Sequence, residues 1–237
     1  MEILKAGVHF GHKKSLWNPK MAEYIYTTRN NIHILDLEKT LVKLNEARQF
    51  AKELTAKGGT ILFVGTKRQA KEEVRKAAES CGMPYVTTRW LGGTFTNFRT
   101  IQRTIKKMER YEKMIADGEI KKYTKKEQLM IAREVEKMKT FFSGIKDMKK
   151  LPEAIFVLDA KYDHIPVEEA RQSKVKIIGL VDTNADPTPV NYMIPSNDDA
   201  VKVIAFMAHA MAEAISEGRG QIASAVVTQT EGAAVAN

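Results

Sequence analysis

The sequence predicts an α/β protein that is built on a parallel sheet and interrupted by a helical hairpin. Short runs of β-branched and aromatic residues alternate with amphipathic stretches, which is the pattern of a parallel sheet with helices on both faces. Residues 101–150 break this pattern, because their apolar side chains recur at spacings of four and three, as in two paired helices. The hydrophobic fraction of 43% in 237 residues is sufficient for a large buried core.

The first forty residues predict a small β-excursion ahead of the main domain. Residues 24–27 and 32–35 alternate apolar and polar side chains around an Arg-Asn-Asn turn at 29–31. A helix with an apolar stripe over residues 41–54 follows and is ended by Gly58.

Four apolar runs predict the strands of the parallel sheet. Three are strong, namely TILFVG at 60–65, AIFVL at 154–158 and KIIGLV at 176–181, and YVTT at 85–88 is weaker.

Helices are predicted between and after these strands. The stripe over residues 70–77 predicts a helix that is ended by Gly82. Pro166 suits the first turn of a short helix. Ser196, followed by Asp199, predicts the N-cap of the last helix.

Two helices joined by a polar loop are predicted within residues 101–150. Asp117 and Gly118 stop the first helix, and Thr124 with Glu127 forms a capping box that starts the second. The dense charge on their remaining faces favours an antiparallel hairpin over two helices that only cover the sheet.

The predicted domains are therefore an α/β domain and an insertion. The α/β domain is formed by residues 1–100 and 151–218, with an N-terminal extension over 1–36. The helical hairpin is formed by residues 101–150, and residues 219–237 are predicted to be a flexible tail because they are small, polar and nearly uncharged.

The charge is distributed unevenly along the chain. The net charge is +9, but residues 1–150 carry +15 and residues 151–237 carry −6. This division predicts a protein that lies against a polyanion on one side, and nucleic acid is the commonest such partner. A solvated lysine surface is the ordinary alternative.

Several classes of site are excluded by the sequence. Cys81 is the only cysteine, so an intrachain disulfide and a cysteine-rich zinc site are ruled out. Lys67 follows a strand and Gly65, but neither a P-loop nor a dinucleotide fingerprint is present. Phosphate, including that of an RNA backbone, remains a candidate ligand near this predicted helix start, and ordinary Thr66 capping is the alternative.

The histidines do not predict a catalytic or metal site. His9 and His12 are three residues apart and are the candidates for metal ligands, but most such pairs bind no metal. His164 follows Asp163 without a nucleophile signature. We expect no metal, no cofactor and no catalytic residue.

Two segments combine cations with aromatic and amide side chains, as RNA-binding surfaces do: residues 12–20 (HKKSLWNPK) and 89–99 (RWLGGTFTNFR). A third segment, residues 103–110 (RTIKKMER), adds a dense group of cations. For Trp17 and Trp90, packing is weighed as the alternative to base stacking. The candidate RNA-binding residues are His12, Lys13, Lys14, Trp17, Asn18, Lys20, Arg29, Lys67, Arg68, Arg89, Thr94, Asn97, Arg99, Arg103, Lys106 and Lys107.

Several longer motifs closely resemble the bacterial small-subunit ribosomal protein S-two family. They are AGVHFGH at 6–12, WNPKM at 17–21, RWLGGT at 89–94 with TNF at 96–98, DTN at 182–184 with DP at 186–187, and IP at 194–195 with NDDA at 197–200. The resemblance runs from about residue 3 to residue 217.

The resemblance implies a flavodoxin-like three-layer domain with a protruding antiparallel coiled-coil hairpin. It also implies a structural, non-enzymatic protein that binds small-subunit rRNA and helps to dock ribosomal protein S-one beside neighbouring small-subunit proteins. We expect a cytoplasmic location in the small subunit, no contact with a membrane and no obligate homo-oligomer.

Two alternatives remain open at this stage. One is a nucleotide- or phosphosugar-using α/β enzyme with Thr66, Asp159 and Asp182 at its ligand. The other is a free RNA-binding module that acts in regulation.

Overall fold

A small antiparallel sheet opens the fold. The computed structural model describes residue 4 and residues 7–234, with side chains to residue 220. Strands β1 (Phe10–Lys13), β2 (Ile25–Arg29) and β3 (Ile32–Leu35) are arranged in the order β1-β3-β2. The β2–β3 hairpin turns at Asn30 and Asn31, whose φ angles of 50° and 60° suit a tight two-residue turn. The predicted β-excursion is therefore present, with β1 as an unpredicted third strand.

The second sheet is parallel and has five strands. These are β4 (Ile61–Val64), β5 (Tyr85–Val86), β6 (Ala154–Val157), β7 (Lys176–Val181) and β8 (Tyr192–Pro195), in the spatial order β5-β4-β6-β7-β8. Numbered within this sheet alone, the order is 2-1-3-4-5, which is that of flavodoxin-like domains. The predicted α/β class is confirmed.

Six α-helices and four short 3₁₀ helices complete the described fold. The α-helices are α1 (Leu37–Ala56), α2 (Lys71–Cys81), α3 (Phe98–Ala116), α4 (Lys125–Phe142), α5 (His164–Gln172) and α6 (Val201–Ala234). The 3₁₀ helices are Lys14–Leu16, Pro19–Tyr24, Glu119–Lys122 and Ser143–Ile145. Because strand side chains alternate in direction, Phe63 and Phe156 pack in a buried cluster with α1, α2 and α6, whereas Leu62 and Ile155 share a cluster with α3, α4 and α5. The sheet is thus the middle of three layers.

Helices α3 and α4 form the predicted pair. They are joined by residues 117–124, and Thr124 with Glu127 forms the predicted capping box. Ion pairs connect the helices, including Lys107 to Glu134 at 2.7 Å.

The base of this pair belongs to the sheet core. Ile105, Met108, Val135 and Met138 are buried in the same apolar cluster as Leu62 of β4. The insertion is therefore less independent of the sheet than the sequence predicts. Protrusion of its outer part as a coiled coil stays a prediction.

Some predicted boundaries differ from the structure. Helix α2 begins at Lys71, not directly after Gly65, and α6 begins at Val201. Ser196 does not cap α6, because the helix begins five residues later, at Val201. The buried hydroxyl of Ser196 donates to the carbonyl of Asn197 instead.

The C-terminal helix extends into the segment predicted to be a flexible tail, residues 219–237. The backbone of α6 is helical to Ala234, through most of the segment predicted to be a flexible tail. Side chains after residue 220 and residues 235–237 lie outside the described part, so tail flexibility stays a prediction.

Candidate nucleic-acid interface

The N-terminal segment lies against the edge formed by the carboxyl ends of the parallel strands. The backbone N–H of His12 donates to Oγ1 of Thr183 at 2.9 Å, and that of Asn18 donates to the Thr183 carbonyl at 2.7 Å. A Cβ atom at Gly11 would lie only 2.6 Å from Thr183 Cγ2, so this close approach requires glycine. The contact places β1 at the edge where ligands of open α/β sheets bind.

Lys13 and Lys14 form an accessible pair of cations in this segment. Both side chains are exposed, have no ion pair with another described residue, and line a shallow depression together with Ser15 and Asn31. Arg29 is also exposed and lies two positions before Asn31, at the end of the adjoining strand β2. The structure therefore brings Lys13 and Lys14 beside the β2–β3 turn.

The other predicted residues of this segment make internal contacts. Trp17 is 38% exposed, and its ring centroid lies 5.5 Å from that of His33. The side chain of Asn18 accepts from the backbone N–H of Lys20, while Lys20 Nζ pairs with Asp186 at 2.9 Å. These contacts hold the segment in place.

The RWLGGT segment is organised around a buried acid that the sequence analysis missed. Glu169, on α5, is 7% exposed. Its carboxylate accepts from Trp90 Nε1 at 3.1 Å and from the backbone N–H groups of Gly93, Phe95 and Thr96 at 2.7, 2.8 and 3.3 Å. The indole of Trp90 is buried edge-on against Phe95, so Trp90 packs inside the protein.

Around this loop, the candidate residues differ in accessibility. Arg89 and Asn97 are exposed. Thr94 is 3% exposed and donates to the carbonyl of Leu91, so its hydroxyl is directed inward, contrary to the expected RNA contact.

The exposed face of α3 carries a row of cations. Its members recur at spacings of four, three and four, which places them on one side of the helix. All are exposed and without an ion pair to another described residue: Arg99, Arg103, Lys106 and Arg110. Lys107, the remaining candidate on α3, does not belong to this row. Its ammonium pairs with Glu134 and lies 5.3 Å from the ring centroid of Tyr111.

Lys67 occupies a different environment from the one the sequence suggested. Its ammonium lies 3.0 Å from Asp159, 3.1 Å from Asp198 and 2.6 Å from Asp199. Burial alone would lower the pKa of Lys67, but hydrogen bonds and charge from these carboxylates raise it overall. The cation is thus neutralised within the protein, whereas its neighbour Arg68 is exposed.

His12 belongs to the same acidic cluster. Its Nδ1 lies 3.0 Å from Asp182, and its Nε2 lies 3.5 Å from Asp199. The hydrogen bond to Asp182 raises the pKa of His12, although burial opposes this shift. Burial also raises the pKa of Asp198 to about 7, with a contribution from the charges of Asp159 and Asp182.

One part of this cluster could hold a divalent cation. Nε2 or Nδ1 of His12 and carboxylate oxygens of Asp198 and Asp199 lie within 4.8 Å of one another. Imidazole and carboxylate are common zinc ligands, and Asp182 could orient the ring through Nδ1. His9, the other predicted candidate, is not in this donor group; its Nδ1 is buried without a hydrogen-bond partner in the described part. The expectation of no metal stays a prediction.

The residues assigned to the alternative enzyme also have internal partners. The backbone N–H and hydroxyl of Thr66 donate to Asp163 at 3.2 and 2.6 Å. The carboxylate of Asp159 accepts from the backbone N–H groups of Lys161 and Tyr162. The backbone N–H of Thr66 is therefore not free to receive a phosphate.

Within the described residues, no helix combines the length and apolar character needed to cross a bilayer.

A known protein family matches the sequence that forms this fold and carries these motifs. The family model described as Ribosomal protein S2 matches residues 3–218, which is most of the chain. The matched range contains both sheets, the α3–α4 pair and the Glu169 loop anchor. The chain therefore belongs to the ribosomal protein S2 family, whose members are structural proteins of the small ribosomal subunit and not enzymes.

Proposed function

We propose that this chain binds small-subunit rRNA through two cationic surfaces and has no catalytic cycle. The first surface is formed by Lys13 and Lys14 at the β2–β3 turn. The second is the row on α3 that contains Arg99, Arg103, Lys106 and Arg110. Together the two surfaces provide six exposed cations of residues 1–150, the part of the chain that carries a net charge of +15, for contact with a polyanion.

One contrast carries this proposal. Lys67 is enclosed by three carboxylates, whereas Lys13 and Lys14 are exposed and unpaired among the described residues. Arginine and lysine that face solvent without an acidic neighbour are available to replace the counterions of RNA phosphates. Lys67, at the edge of the sheet, is therefore neutralised within the protein, whereas the cations on the outer surfaces are available to bind phosphate.

The α3 row suggests how the RNA is recognised. Its four cations span roughly 16 Å along the helix axis at 1.5 Å per residue. No amide or exposed ring lies in the row, so it supplies phosphate contacts without a base-reading group. Two other segments supply the stacking and amide groups of the predicted interface, namely residues 12–20 with Trp17 and residues 89–99 with Arg89 and Asn97.

We further propose that the chain helps to dock ribosomal protein S-one and works in the cytoplasm as part of the small subunit. Family membership supports this assignment. The −6 charge of residues 151–237 also suits a protein neighbour better than RNA. The S-one content of purified small subunits with and without this chain tests it, and equal content would contradict the docking role.

The rRNA proposal is tested by titrating the full chain against isolated small-subunit rRNA at increasing salt. If about six to ten phosphates are neutralised, affinity should fall by about 10³–10⁵ between roughly 50 and 200 mM salt. A flat response, or a saturable thermal shift with nucleotides instead, would favour the enzyme alternative. Co-sedimentation with small subunits separates a structural ribosomal role from that of a free regulatory module.

A further inference from the structure

The outward faces of the two hairpin helices are chemically different. On α3 the row contains only cations. On α4 the exposed positions repeat with the same four-three-four spacing but include a methionine: Lys126, Met130, Arg133 and Lys137. Leu129 adjoins Met130, so α4 presents two large apolar side chains on a surface where exposed cations outnumber exposed acids. The cations are Lys125, Lys126, Arg133, Lys137 and Lys139, and the acids are Glu127 and Glu136.

Leu129 and Met130 take no part in the core of the hairpin. They are 52% and 61% exposed, whereas Val135 and Met138, on the inward side of α4, are buried. Helix propensity does not require them, because lysine or glutamate would support the helix about as well. Two adjacent, exposed apolar side chains on a largely charged face form a small apolar patch that a partner could cover.

The flanking charges indicate the chemistry of the partner. Lys126, Arg133 and Lys137 are exposed and form no ion pair with another described residue. Methionine and arginine are enriched in protein interfaces, and an acidic partner would complement the three cations. A phosphate backbone would satisfy the cations but offers no groove for aliphatic side chains, so RNA matches α3 better than α4.

We propose that the outer face of α4 docks an acidic protein neighbour in the small subunit, with Leu129 and Met130 entering an apolar groove between its carboxylates. This inference rests on the proposed ribosomal role. It assigns the two sides of the hairpin to different partners, RNA on α3 and protein on α4.

The test places a photoreactive benzophenone amino acid at position 130 of the full chain, and small subunits are purified from cells that express it. Irradiation should cross-link position 130 to a protein, at a peptide rich in aspartate and glutamate. The same residue at position 103, on α3, should cross-link to rRNA. Cross-links from position 130 to rRNA alone, or none from subunits that contain the chain, would overturn the proposal.

Charge-reversal variants provide matched controls. K126E/K137E, with the photoreactive residue at 130, should reduce the protein cross-link by about tenfold or more, because like charges now face each other. R103E/K106E should instead weaken rRNA binding and leave that cross-link in the subunits that assemble. An unchanged cross-link in K126E/K137E would contradict the acidic partner. If the unmodified chain does not co-sediment with small subunits, the ribosomal role is refuted, and this proposal with it.

Discussion

The indole N–H of Trp90 donates to Oε1 of Glu169 at 3.1 Å, across 79 positions of the chain. The same buried carboxylate binds three backbone N–H groups of the following loop. A side chain of α5 therefore fixes the loop that carries Arg89 and leads into α3.

Glu169→Gln should destabilise the protein markedly. The amide that replaces one carboxylate oxygen would face N–H donors, and each buried donor left unpaired costs about 1–3 kcal/mol. We expect the free energy of unfolding, measured in urea, to fall by at least about 2 kcal/mol. Glu168→Gln is the matched control, because Glu168 forms only an exposed ion pair with Arg171, and loss of such a pair should change stability little. Equal losses in the two variants would show that the carboxylate does not anchor the loop.

This relationship also shows what the sequence could not predict. The pattern around α5 contains two adjacent glutamates, and nothing local distinguishes the exposed Glu168 from the buried Glu169. The donors lie more than 70 positions away, and they become neighbours only when the sheet order is known. The same reason accounts for Lys67, whose three acidic partners come from the loops that follow β6 and β8.

Features encoded by local patterns were predicted well. The apolar runs of β4, β6 and β7 and the capping box of α4 depend on neighbouring residues and are confirmed. Strands β1 and β8 were missed for reasons of composition: β1 (FGHK) contains a glycine and polar residues instead of an apolar run, and β8 (YMIP) ends in a proline, which weakens a strand assignment. Family motifs, not periodicity, supplied the flavodoxin-like assignment.

Lys13→Ala/Lys14→Ala should weaken rRNA binding without affecting folding. Both side chains are exposed and unpaired among the described residues, so the melting temperature should change little. Loss of two phosphate contacts should reduce the slope of log affinity against log salt by about 1.5–2.

Lys57→Ala/Lys176→Ala removes the same charge and is the control for this pair. Lys57 and Lys176 are exposed at the opposite edge of the parallel sheet, where strands begin. Their replacement should leave the salt slope close to that of the unmodified chain. Equal effects from both pairs would mean that overall charge, and not the surface at the β2–β3 turn, governs binding.

A deletion can locate the boundary between the hairpin and the sheet core. Residues 109–134 lie beyond Met108 and Val135, the outermost α3 and α4 residues that are buried in the cluster of the sheet. Replacing residues 109–134 by a four-residue Gly-Ser linker should leave one cooperative unfolding transition and a reduced helical circular dichroism signal.

The longer deletion of residues 106–139 should behave differently. It also removes Met108, Val135 and Met138 from the buried cluster, and loss of a large core side chain typically costs about 2–5 kcal/mol. We expect a clear fall in unfolding free energy or loss of cooperativity. If both deletions were equally stable, the base of the hairpin would not belong to the core.

Cys81 should report whether α6 stays docked on α2. Burial raises the pKa of its thiol to about 11, so the reactive thiolate is about 100-fold scarcer near pH 8 than for a thiol of pKa about 9. Arg219 of α6 donates to the carbonyl of Cys81 at 2.5 Å and to that of Gly82 at 3.2 Å, which joins the two helices beside the thiol. Labelling by an aromatic disulfide reagent should therefore be slow in the folded chain and fast in urea.

Arg219→Ala should accelerate labelling in the folded state, because its loss allows α6 to separate locally from α2. Arg171→Ala, which breaks only an exposed pair with Glu168, should leave the rate unchanged. Rapid labelling of the unmodified folded protein would show that Cys81 is not enclosed, and equal rates in the two arginine variants would show that Arg219 does not hold the helices together.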